Sequence, residues 1–183
     1  HRHVPGGVRT RQQSGVGRNL RSQWLWCCCL DTASVASSIM RAEDELAAVP
    51  AGASAVVSEA RRVSRALVEP LGRRWSHVKA VAARAAELVV PVPVARQDQL
   101  IAAAWLHDVG YAPEIGRTGF HPLDGARYLN LEGWPDAIVN LVAHHSVARL
   151  EAKQRGLADE LAEFPFPDGP LLDALALADL TTG

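Results

Sequence analysis

The chain has 183 residues, of which 48% are hydrophobic and 21% are charged, and its formal net charge is −1 at pH 7. These values are typical of a globular protein with one domain, or one domain with a tail, and with a core of ordinary size. The small net charge gives no indication of a nucleic-acid duplex or a membrane as partner, and no apolar run approaches the roughly 18 residues of a membrane span.

Residues 1–39 differ in composition from the rest of the chain. They contain several arginines and no acidic residue before Asp31, and they show no helical or strand period. Such a stretch resembles a transit peptide, or an upstream region translated from too early a start; a signal peptide fits less well, because the apolar run at 24–30 is short. The only methionine is Met40. We therefore expect residues 1–39 to be a disordered or non-native extension and residues 40–183 to form the domain.

The three cysteines are consecutive, at positions 27–29. This spacing fits neither a disulfide framework nor a common zinc motif. We therefore expect a reducing compartment, and hence a cytoplasmic protein.

Apolar residues recur at helical spacing through most of the remaining chain. The pattern predicts helices at about 54–69, 73–90, 97–108, 121–132, 136–146, 148–162 and 171–180. Proline or glycine lies at most of the breaks between them. No alternating strand pattern exceeds a few residues, so the predicted fold class is all-α.

Side chains that can bind metals lie on the apolar faces or at the ends of these helices. His107 and Asp108 are adjacent at the end of an alanine-rich helix and share its apolar rows. A buried carboxylate is costly unless a positive group pairs with it, and a metal ion satisfies a carboxylate and a neutral imidazole together. The other members of this set are His77, His121, His144, His145 and Asp179.

A hydrogen-bonded core histidine, or a histidine near a helix C-terminus, explains any one of these positions. The whole set is harder to explain in that way, because each member would need its own partner inside an apolar bundle. One or two shared cations would satisfy them all.

The order His77, His107-Asp108, Asp179 resembles the HD-domain metal-dependent phosphohydrolases over about residues 72–183. The resemblance implies an HD-type helical bundle in which these four residues bind one divalent ion between helices. Such domains usually continue beyond the last aspartate, so the resemblance also leaves open a truncation at the C-terminal end.

The additional histidines resemble the binuclear branch of that family. By this resemblance, Asp108 bridges two metals, and His121, His144 and His145 hold the second. Two other branches fit poorly. The HD-GYP cyclic dinucleotide phosphodiesterases follow the histidine pair with a glutamate and a later Gly-Tyr-Pro, whereas residues 146–149 read Ser-Val-Ala-Arg and no Gly-Tyr-Pro occurs. The alarmone hydrolases carry a Glu-Asp pair after the HD motif, whereas residues 111–115 read Tyr-Ala-Pro-Glu-Ile.

The resemblance implies a hydrolase of phosphate ester bonds, a phosphomonoesterase or phosphodiesterase acting on a nucleotide or small phosphorylated metabolite. His107 and Asp108 would be catalytic through a metal-activated water. Mixed imidazole and carboxylate ligands suit one or two ions of Mn²⁺, Fe²⁺, Co²⁺ or Ni²⁺, with Zn²⁺ and Mg²⁺ as alternatives. The side chains expected to bind substrate are Arg73, Arg74, Lys79, Tyr111 and Arg117, although a solvated helix end explains most of these cations and simple packing explains the tyrosine.

Two other functions remain open from the sequence. A small branch of HD-like folds holds a mixed-valence di-iron pair and oxidises a C–H bond with O₂. Its ligand order is also met here, by His77, His107, Asp108, His121, His144 and Asp179. The second alternative is a non-catalytic metal-binding regulatory module.

Overall fold

The computed structural model describes residues 54–90, 92–167 and 169–182. Within this part of the chain every regular element is a helix, so the all-α prediction is confirmed. None of these helices combines the length and hydropathy that a membrane span requires. The predictions for residues 1–39, for Met40 and for the cysteines fall on residues outside the described ranges.

The helices follow one another along the chain without long gaps. They are α1 (Ala55–Val68), α2 (Arg73–Glu87), α3 (Val94–Leu106), α4 (His121–Leu131), α5 (Asp136–His144), α6 (Ala148–Arg155), α7 (Ala158–Leu161) and α8 (Pro170–Leu180). Two short 3₁₀ turns, Glu69–Leu71 and Val109–Tyr111, follow α1 and α3.

Most helix ends fall at the predicted proline and glycine positions. The polar helix predicted over 148–162 is instead two helices, because Gly156 adopts a left-handed conformation (φ 72°) after α6. The helix predicted over 97–108 begins earlier, at Val94, and ends at Leu106. His107 is therefore the C-cap of α3, and Asp108 begins the following turn.

Helix α3 is the centre of the bundle. It packs against α1, α2, α5 and α8, and five of its residues are buried: Leu100, Ala102, Ala103, Ala104 and Leu106. Small alanine side chains allow neighbouring helices to approach closely on several sides. As a result, the C-terminal end of α3 lies inside the domain.

The turn after α3 lies directly against α4. A Cβ atom at Gly110 would lie 2.1 Å from the carbonyl oxygen of His121 and 2.7 Å from the amide nitrogen of Gly125. No other residue fits at such a distance, so glycine is required here for the close approach of two backbones. The contact fixes His121, the first residue of α4, beside the end of α3.

Asp124 holds the loop that leads into α4. Its buried carboxylate accepts hydrogen bonds from the backbone N–H groups of Arg117 and Thr118, at 3.0 Å each, and from the Thr118 hydroxyl at 2.9 Å. These bonds satisfy a buried charge within the loop itself. Asp124 is therefore a structural residue of the loop.

We predict that Gly110→Ala lowers the free energy of unfolding by about 2 to 3 kcal/mol, because α4 must move away from the turn. Urea denaturation measures the change. Gly116→Ala is the matched control in the same loop, because its Cβ would lie 3.7 Å from the nearest atoms, an ordinary contact. Equal losses of stability in the two variants would contradict the proposed backbone contact.

Candidate metal centre

Side chains from five separate segments meet at the buried end of α3. α2 contributes His77, the segment after α3 contributes His107 and Asp108, and α4 contributes its first residue, His121. The residue after α5 is His145, and α8 contributes Asp179 near its end. Their ligand atoms form two groups, each compact enough to hold one metal ion.

The first group consists of His77, His107 and Asp179. Asp179 Oδ1 lies 2.9 Å from His77 Nε2 and 3.7 Å from His107 Nε2. All three ligand atoms lie within 4.8 Å of one another. Ligands at about 2.1 Å from a common ion are separated by roughly 3 to 4 Å, so small adjustments would let one ion contact all three.

The second group consists of Asp108, His121 and His145. His121 Nε2 lies 3.5 Å from Asp108 Oδ1 and 3.1 Å from His145 Nε2. These distances again match ligands arranged around one ion.

The carboxylate of Asp108 lies between the two groups. Its Oδ2 atom lies 3.4 Å from His107 Nε2 and 4.0 Å from His77 Nε2, both in the first group. Its Oδ1 atom faces His121 in the second group. Each oxygen therefore faces a different candidate metal position, which is the arrangement that a bridging carboxylate requires.

Backbone carbonyls orient three of the imidazoles. The Nδ1 atoms of His77, His107 and His145 lie 2.8, 2.8 and 2.7 Å from the carbonyl oxygens of Thr182, Ala104 and Val142, respectively. A carbonyl oxygen can only accept, so each Nδ1 carries the hydrogen and donates it. Each Nε2 therefore points a lone pair into the centre, as a metal-ligating histidine does.

One ligand atom shows directly that the centre fits a cation. His107 Nε2 is buried and has no hydrogen-bond partner among the described residues. A buried polar atom without a partner loses about 1 to 3 kcal/mol of solvation. A divalent ion would satisfy this lone pair, and the neighbouring carboxylates supply the matching negative charge.

The carboxylates of the centre are ionised at neutral pH. Burial opposes the charge of Asp108, but His107, His145 and Arg74 together outweigh burial and hold the pKa of this carboxyl well below its usual range. Burial also raises the pKa of Asp179, but His107, the Ser146 hydroxyl and His145 together outweigh burial and lower it overall. Burial lowers the pKa of His107, but Asp108 and Asp179 outweigh burial and raise it overall. The first group therefore attracts positive charge.

The imidazoles of the second group are neutral. Burial, followed by the nearby His145, lowers the pKa of His121 to about 3. Burial and His107 also lower the pKa of His145. Neutral imidazole is the form that binds a metal, so no proton has to be displaced from these two ligands.

The structure brings six of the seven predicted ligands together and places His144 elsewhere. His144 Nε2 donates to the Phe164 carbonyl at 2.9 Å, and its ring packs edge-on against Phe166. The cause is the end of α5: His144 is the last helical residue, whereas His145 is extended (ψ 154°) and turns into the centre. This geometry does not support the prediction of His144 as a ligand of the second metal; of the two adjacent histidines, only His145 belongs to the second group.

The predicted substrate-binding residues separate into two sets. The guanidinium of Arg74 donates to Asp108 Oδ2 at 3.1 Å and lies 4.0 Å above the ring of Tyr111. Tyr111 in turn stacks on His121, with ring centroids 4.0 Å apart. Arg73 lines a cavity of about 470 Å³ together with Arg74, His77 and Tyr111.

The other two cations lie farther from the ligands. The Lys79 ammonium lies over the ring of Trp75, 5.7 Å from its centroid. Arg117 lines a neighbouring cavity of about 280 Å³ with Tyr111 and His121, and its guanidinium donates to the Gly116 carbonyl at 3.1 Å.

Sequence reasoning missed two groups that support the first metal position. The Ser146 hydroxyl donates to Asp179 Oδ2, and the Thr182 carbonyl accepts from His77. Ser146 also has a positive φ of 52°, which is uncommon outside glycine. The sequence offers one signal for Ser146, its place directly after the histidine pair. Nothing local links it to Asp179, which is 33 positions away along the chain.

A family model described as HD domain matches residues 74–179, a range that contains all six residues of the two groups. The chain therefore belongs to the HD domain family, whose members are mostly metal-dependent phosphohydrolases and bind divalent metals. No curated protein and no solved structure matches the chain.

We predict that Asp108→Ala abolishes binding at both metal positions, because it removes a ligand shared by the two groups and leaves the imidazoles around it without their charged partner. Elemental analysis of the purified protein measures metal content per chain. Asp98→Ala, an exposed position of α3, is the control and should keep the full content. Retention of the wild-type metal content by Asp108→Ala would refute the bridging role.

We also predict that His145→Gln and His144→Gln differ. His145→Gln should lower the metal content by about one ion per chain, since the second group loses one of three ligands. His144→Gln should keep the wild-type content, because its side chain contacts Phe164 and Phe166. Elemental analysis with a thermal melt of each variant decides the matter, and the reverse result would restore His144 as the ligand.

Proposed function

We propose that the protein is a metal-dependent phosphohydrolase that cleaves a phosphate ester of a small substrate, a nucleotide or a phosphorylated metabolite. The observation that carries this proposal is the Asp108 carboxylate between two His/Asp groups, with an arginine at the same carboxylate. Two adjacent cation positions beside a guanidinium suit a phosphoryl group, whose charge is spread over several oxygens.

The ligand set supports two divalent ions of the Mn²⁺, Fe²⁺, Co²⁺ or Ni²⁺ type, with Zn²⁺ and Mg²⁺ as alternatives. When bound, such ions polarise a phosphate oxygen and lower the pKa of a coordinated water toward neutrality. The chain's contribution is to hold six ligand side chains with their lone pairs directed inward. Three backbone carbonyls keep His77, His107 and His145 in that orientation.

Arg74 is the residue best placed to bind the substrate phosphate. Its side chain is 38% exposed, and it lines both the cavity of about 470 Å³ and a smaller cavity of about 140 Å³ over Asp108 and Asp179. A guanidinium can donate to two phosphate oxygens at once. Arg74 thus connects the open cavity to the metal ligands, and Arg73 adds positive charge to the outer part.

Tyr111 forms a flat wall between the arginine and the second metal group. It is 41% exposed and is sandwiched between the Arg74 guanidinium and the His121 ring. We infer that it orients both partners and limits the space beside the phosphate. Lys79 and Arg117 have no comparable contact with a ligand side chain, so we leave them out of the proposed substrate site.

The same six ligands also suit a di-iron oxygenase with His145 in the position that the sequence had assigned to His144. Metal content and turnover separate the two reactions. We expect about two ions per chain in protein purified without oxygen and phosphate release from a panel of phosphomonoesters and phosphodiesters with Mn²⁺. Two irons with O₂ uptake and no phosphate release would favour the oxygenase, and intact metal binding without any turnover would favour a regulatory module.

We predict that Arg74→Gln lowers kcat/KM for the best ester in the panel by about 10- to 100-fold, the usual effect of losing a charge-assisted hydrogen bond. Arg96→Gln is the control. Arg96 pairs with Gln99 near the start of α3, roughly 16 Å along the helix from His107 at 1.5 Å per residue. Equal kcat/KM in Arg74→Gln and wild type would exclude Arg74 from substrate binding.

A further inference from the structure

A second cavity lies beside α6 and shares none of the metal ligands. It measures about 310 Å³ and is lined by the end of α5, by α6, by α7 and by the segment after α7. Arg149, Ala152 and Lys153 of α6 line this cavity, whereas Ala148 and Glu151 of the same helix line the small cavity of the metal centre. The two spaces therefore lie on different faces of one helix.

His144 is a buried part of the wall of this second cavity. The residue is only 5% exposed, and its Nε2 donates to the Phe164 carbonyl. Its ring packs edge-on against Phe166, another residue of the wall.

The cavity also combines positive charge with an apolar wall. Arg149 lies 4.4 Å above the ring of Phe166, and Lys153 lies on the same side of α6. Neither cation pairs with an acidic side chain within the part of the chain that the structure describes. Ala152, Leu161 and Phe164 form apolar walls.

We propose that this cavity binds a small organic anion that has a flat apolar body. The anionic group pairs with Arg149 and Lys153, and the body packs beside Phe166. The volume is at the lower end of the range for small-molecule sites, which favours a single-ring compound. The proposal is independent of the reaction at the metal centre.

The test is a calorimetric titration of the whole protein with benzoate, which carries a carboxylate and one ring. Acetate lacks the ring and phenol lacks the charge. We expect saturable binding of benzoate and a Kd about tenfold higher for each of the other two, the effect of losing the apolar contact or the ion pair in a partly buried site. Absence of saturable binding overturns the proposal.

Variants establish where the compound binds. Arg149→Ala and Lys153→Ala should each raise the Kd about three- to tenfold, since both cations are solvent-exposed and partly screened. Ala162→Trp, at an exposed position of the rim, should block binding without disturbing the core. Arg74→Ala should leave the Kd unchanged. If Arg74→Ala abolishes binding and Ala162→Trp does not, the anion binds at the metal centre, and the proposal is wrong.

Discussion

The structure depends on one unfavourable placement, an ionised carboxylate at the buried C-terminal end of the central helix. Asp108 is 2% exposed, and the end of α3 adds the negative pole of the helix dipole. Two negative features in one place require positive charge nearby. The surrounding helices meet this requirement in part with Arg74, whose guanidinium donates to Asp108 Oδ2, and the same requirement makes the site suitable for divalent ions.

The backbone, more than the side chains, holds this arrangement in place. Carbonyl oxygens at the ends of α3, α5 and α8 accept from the imidazoles and set their tautomers. The contact between Gly110 and α4 brings His121 to the second group, and Asp124 closes the loop before it. The ligand geometry therefore follows from how the helix ends pack, which explains why distant segments can build one compact centre.

Helix α6 lies between two cavities and contributes residues to both. One face closes the metal centre, and another presents two cations to the cavity beside Phe166. The adjacent residues His144 and His145 are divided in the same way, one to each cavity. A short segment thus contributes to two chemically different spaces, one lined by carboxylates and imidazoles and one lined by two cations and aromatic rings.

The sequence by itself determined the all-α class, most of the helix breaks and the set of candidate ligands. Proline, glycine and apolar periodicity act locally, and a polar residue within an apolar pattern stands out without any structure. Helical periodicity did not predict the side-chain direction of the residue that follows α5. His145 leaves the helical conformation, so no helical period predicts that it, and not His144, faces the candidate metal centre.

Only the tertiary structure decided that one oxygen of Asp108 faces the first group and the other faces the second. It alone also decided that the Ser146 hydroxyl donates to Asp179. It also decided that Arg74, and not Lys79, reaches the ligands. Apart from that with the adjacent His107, these contacts join residues about 13 to 34 positions apart, and their distances depend on how whole helices pack. Local pattern carries no information on such distances, which is the physical reason why the sequence supplied candidate ligands and only the fold decided which of them meet.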